Sequence, residues 1–64
     1  MNEPLIQLNA ILVEKGLNIC FSAQDNHGFI TVYMIKNGIT TTLKSNATPP
    51  QVTMMCEVAI KILS

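Results

Sequence analysis

The side chains able to do acid–base, nucleophilic or metal chemistry are few: one histidine, His27, two cysteines, Cys20 and Cys56, and four carboxylates, Glu3, Glu14, Asp25 and Glu57. A nucleophile needs a base within hydrogen-bond reach and a third group that orients the base. His27 stands in Asp25-Asn26-His27-Gly28, a run of turn-forming residues that places an imidazole in solvent. No serine, cysteine or threonine has a base-and-orienter spacing with it. The carboxylates fall on helix ends, a turn and a helix surface, so they do not form a paired acid/base site. Neither a CxxC motif nor a Cys/His cluster suggests zinc. The glycines each answer to a cap or a turn, which leaves no phosphate-cradling loop. Nothing beside either cysteine in sequence would lower a thiol pKa. The expectation is a protein that is not a conventional enzyme, with no catalytic, cofactor-binding or metal-binding residue and no cofactor.

The elements that position these residues follow from periodicity. Asn2 is the expected N-cap of a first helix over residues 3–15, with Glu3 and Pro4 in its first turn, where a carboxylate and a proline are favoured. Leu5, Leu8 and Leu12, together with Ala10, Ile11 and Val13, recur at helical spacing, and Gly16 stands where a left-handed cap is needed. From Leu17 to Gln24 the period becomes two, the mark of a half-buried strand. A turn is expected over residues 25–28, a second strand from Phe29 to Lys36, and a hairpin turn at Asn37-Gly38. Ile39 to Ser45, rich in threonine, makes the third strand.

A four-residue loop at 25–28 pairs Gln24 with Phe29, and the Asn37-Gly38 loop pairs Lys36 with Ile39 and Val32 with Leu43. Both hairpins then put Ile19, Phe21, Ala23, Ile30, Val32, Met34, Ile39 and Leu43 on one face. Thr48-Pro49-Pro50-Gln51 opens the last helix with an N-cap, prolines in the first turn and a capping box. Val52, Met55, Cys56, Ala59 and Leu63 form its buried stripe, with Glu57 and Lys61 opposite. The expected fold class is α+β: one domain over residues 1–64, αβββα, a three-stranded antiparallel meander with N- and C-terminal helices packed on one face.

Composition narrows the function classes. Nearly half the residues, 48%, are hydrophobic, 12% are charged, and the formal net charge is zero, so electrostatic repulsion does little to keep copies apart. The four cations, Lys15, Lys36, Lys44 and Lys61, are dispersed and none is arginine; nucleic-acid binding, which needs clustered cations, is disfavoured. No apolar run approaches the ~20 residues of a membrane span. Met1-Asn2-Glu3-Pro4 carries no export pattern, and the two cysteines suit a reducing cytoplasm. A chain of 64 residues buries only about 60% of its unfolded surface. With at most one disulfide and no metal motif, self-association is the expected source of added stability.

The candidate surfaces for a protein partner or a second copy are the open sheet face, the last helix and an edge strand of the sheet. On the sheet face away from the helices, Cys20, Phe29, Tyr33 and Ile35 read as an apolar stripe where a solvated sheet is normally polar. On the last helix, Met54, Val58 and Ile60 widen the apolar arc, with Met54 and Val58 furthest toward the polar side.

The element order resembles the double-stranded-RNA-binding domain. Pro4-Leu5 opening the first helix, His27 in the first hairpin loop and Phe29-Ile30-Thr31-Val32 starting the second strand carry the resemblance. It implies duplex recognition through the first helix, that loop and a basic run opening the second helix. The corresponding segment here, Thr48 to Met54, contains no cation, so the likeness is one of topology and duplex RNA binding is the alternative function. The function expected first is a small non-enzymatic interaction module, a homodimeric adaptor, regulator or inhibitor of the size that phages and other mobile elements encode.

Overall fold

A computed structural model describes residues 3–64. Helix α1 (Glu3–Glu14) is followed by strands β1 (Ile19–Asn26), β2 (Phe29–Lys36) and β3 (Ile39–Ala47), then helix α2 (Pro49–Leu63). The strands form one antiparallel sheet in the order β1-β2-β3, so the architecture is the α+β, αβββα arrangement. The expected N-cap, Asn2, lies outside the described residues.

The end of α1 is set by Gly16, whose φ of 71° is cheap only without a side chain. Its N–H donates to the Val13 carbonyl and that of Leu17 to the Leu12 carbonyl, both at 3.0 Å, which is the Schellman pattern. At α2, Thr48 is the N-cap with extended backbone, and its N–H donates to Gln51 Oε1 at 2.9 Å. Pro49 and Pro50 occupy the first two helical positions, where a missing N–H costs no intrahelical bond.

The first hairpin differs from expectation. His27 and Gly28 have φ of 58° and 88°, as a two-residue type I′ loop requires, and the Gly28 N–H donates to Asp25 Oδ1 at 3.1 Å. β1 therefore continues to Asn26, which pairs with Phe29, and Phe21 faces Met34 rather than Val32. This register differs from the expected one by two residues, an even number, so each side chain keeps its face.

The second hairpin follows its expected register from Lys36↔Ile39 to Tyr33↔Thr42. Beyond it two irregularities intervene: Val32 pairs with Lys44, not Leu43, and Ile30 with Ala47. Each adds a residue to β3, and Asn46, at φ 56°, absorbs part of the bend. β3 thereby reaches Ala47, which is fully buried.

Leu8, Leu12, Val32, Ala47, Val52 and Cys56 form the buried cluster, with Leu5, Ile19, Phe21, Ile30, Met55, Ala59, Ile60 and Leu63 packed around it. The two helices pack on one another, α1 against β1 and α2 against β2. They do not cover the whole apolar sheet face: Ile39 remains 69% exposed and Leu43 44%. The expected apolar run of α1 is corrected at Val13, which is 76% exposed on its outer side.

Candidate functional site

Asn9 decides how the helices sit. Its side-chain amide donates to the Phe21 carbonyl at 2.9 Å and accepts from the Phe21 N–H at 2.8 Å. Those two main-chain groups point away from β2, because the His27-Gly28 loop makes Asn26↔Phe29 a mutually bonded pair and the pattern alternates along the strand. Asn9 thus takes the place of a neighbouring strand's peptide on the β1 edge and draws α1 to that side of the sheet. Sequence reasoning passed over Asn9, although it stands four residues after Leu5 and three before Leu12, inside an otherwise apolar stripe. A lone amide there is the signal of a buried polar tie.

With α1 held at β1, α2 lies over the middle of the sheet and its β3-side flank has no cover among the described residues. Met54, Val58 and Ile62, four residues apart, form an exposed stripe along α2 with exposures of 64%, 52% and 77%, and Ile62 at its end also borders a cleft of about 270 Å³ with Leu12, Ile19 and Met34. Together with Met55 and Ala59, the stripe lines a shallow apolar depression of about 370 Å³. Met55 and Ala59 also line a cleft of about 180 Å³ that reaches Leu43 and Val32 beneath the helix. The apolar flank of α2 is therefore continuous with the uncovered part of the inner sheet face.

The sequence placed Met54 and Val58 correctly as exposed and named Ile60 with them. Ile60 instead packs against the core and Ile62 completes the stripe. The two lie about 200° apart around a helix of 3.6 residues per turn, so only the side on which α1 docks distinguishes them.

On the opposite sheet face, Cys20 faces Ile35 directly and Tyr33 stands two residues further along β2. Cys20 is exposed, while Tyr33 and Ile35 are half-buried by their neighbours. Phe29 is 53% exposed at the hairpin end, separated from Tyr33 by the Thr31↔Gln24 pair. The expected stripe is interrupted there, and its remaining part is smaller than the flank of α2.

The groups capable of chemistry are dispersed. His27 is exposed in its turn, and the Asp25 carboxylate is engaged by Gly28. Among the described residues no group of three or more His, Cys, Asp or Glu side chains could hold a metal ion. Both cysteines are free; burial, helped by the neighbouring Glu57 carboxylate, pushes the Cys56 thiol up from its ordinary value. That shift favours the unreactive thiol over the thiolate. No helix among the described residues is long and apolar enough to cross a membrane. No protein-family model, curated protein or solved structure matches the chain.

Proposed function

We propose that the chain is a small, non-enzymatic protein-interaction module that works as a homodimer in the reducing cytoplasm, an adaptor, regulator or inhibitor. The observation that carries this reading is the exposed Met54–Val58–Ile62 stripe, contiguous with uncovered core-side residues of the sheet. Contiguous apolar patches of this kind are often functional, and unbranched methionine adapts to the shape of a partner. The sheet face around Cys20, Tyr33 and Ile35, with Phe29 at its hairpin end, is the secondary contact surface in this reading.

A benzophenone amino acid at Val58 tests it by photo-crosslinking in the producing cells, with the same group at exposed Gln24 as control. Discrete protein adducts are expected at Val58 and not at Gln24; equal or absent adducts overturn the reading. Titration with a duplex RNA at low salt, where phosphate contacts are strongest, is expected to give no submicromolar binding.

A further inference from the structure

The sheet has two edges, and the fold treats them differently. The β1 edge is occupied by Asn9 at Phe21. The β3 edge has no described element against it, and every residue from Ile39 to Asn46 is exposed. The two-residue Asn37-Gly38 loop makes Lys36↔Ile39 a mutually bonded pair, so by alternation the N–H and C=O groups of Thr40 and Thr42 point outward from the sheet. Natural edges are commonly guarded by charge, proline or a covering element. From Ile39 to Thr42 this edge has none of these; the bulge opposite Val32 and the first charge, Lys44, lie beyond it.

We infer that the occupant of this edge is a second copy of the chain, paired antiparallel through β3 across a two-fold axis at Thr41. The inference rests on the reading of the chain as an interaction module and supplies the geometry of its dimer. In this register Thr40 meets Thr42 of the other copy, and all outward main-chain groups of both residues are satisfied at once. Threonine against threonine is a favourable cross-strand pair, and the central segment is uncharged, so two copies approach without repulsion.

The same operation brings the two α2 helices to one side of the joined sheet. Packed helices lie about 8–10 Å apart and strands about 4.8 Å apart. With α2 over β2, it lies about one and a half strand spacings, roughly 7 Å, from the axis, so the two α2 helices stand about 14 Å apart above a six-stranded sheet and bound a groove between them. That groove is flanked by the exposed Met54, Val58 and Ile62 of α2, with exposed Leu43 and Ile39 of β3 at its floor. At roughly 100 Å² for a fully exposed aliphatic side chain, these five present about 300 Å² per copy. The two copies together contribute about 600 Å² of apolar surface, to which the paired strand edges add, within the range of weak, transient interfaces of under about 1,200 Å².

The test uses the full chain in a Cys20→Ser background. Sedimentation velocity between ~1 and ~200 µM, a range that detects association free energies of about −5 to −8 kcal/mol, should show a reversible monomer–dimer equilibrium. Val58→Asp, at a half-exposed position, should weaken the dimer at least about tenfold with an unchanged far-UV circular dichroism spectrum. Thr41→Cys should form a disulfide-linked dimer under mild oxidation, because directly opposed non-bonded residues bring Cα atoms about 4.5 Å apart. Glu57→Cys, on the far side of α2, should not. A monomer throughout the concentration range overturns the inference while leaving the Val58 adducts free to report a different protein partner. A dimer in which Thr41→Cys links no better than Glu57→Cys overturns the edge pairing.

Discussion

Cys56 sits in the core between Val52 and Ala59 on α2, 4% exposed, and its burial has a pH consequence. In the folded chain the thiol holds its proton to higher pH than in the unfolded chain, where it ionises near 8.5. The unfolded state therefore gives up a proton that the folded state keeps, and stability falls with rising pH in that window. The contribution is whole below the unfolded value and is lost as pH rises through the folded one. Urea unfolding of the native chain and of Cys56→Ala should show the native chain more stable at pH 7. The gap should narrow steadily above about pH 8.5; a gap independent of pH would refute the assignment. Reactivity should divide in the same way, with exposed Cys20 labelled by a thiol reagent under native conditions and Cys56 only on unfolding.

Between elements, the Asn9 amide is the tie that binds α1 to the sheet. Its two hydrogen bonds to Phe21 are partly buried, and each is worth about 0.5–1.5 kcal/mol. Asn9→Ala should cost about 1–3 kcal/mol, read as a lower urea midpoint, and should speed hydrogen exchange at the Phe21 amide. Asn9→Asp keeps an acceptor for the Phe21 N–H but sets a carboxylate against the Phe21 carbonyl, so it should be destabilising at neutral pH and less so in acid. The hairpins show how much of an element is local. Asn37-Gly38 announces its turn by composition, whereas His27-Gly28 does not, because histidine rarely takes a positive φ. The sequence therefore suggested a longer loop, two residues out of register, and the faces survived because the displacement was even.

At the scale of the molecule, the buried cluster among the described residues is six residues, Leu8, Leu12, Val32, Ala47, Val52 and Cys56. Single cores of this size seldom supply more than about 3–5 kcal/mol, and truncating a buried leucine such as Leu8 costs about 2–5 kcal/mol. A β3-paired dimer would add to that stability by mass action. Its melting temperature should then rise with protein concentration over two decades, and Val58→Asp should flatten the dependence. A melting temperature independent of concentration in the native chain would exclude dimerisation as a source of stability.

The αβββα order, the faces of the strands and most of the buried stripe of α2 were legible in the sequence, because each depends on a local period of 3.6 or 2 and on turn and cap residues. Met54 and Val58 were legible for the same reason: they lie furthest from the centre of that stripe. The period of one helix does not say on which side its neighbour docks. That choice was made in three dimensions, where Asn9 bonds to the β1 edge and pulls α1 to that side. Ile60 is then half-buried against the core, Ile62 stays exposed, and the β3 edge is left open. Periodicity along the chain determined the elements and their faces; which flank and which edge stayed uncovered was decided by contacts between residues far apart in sequence.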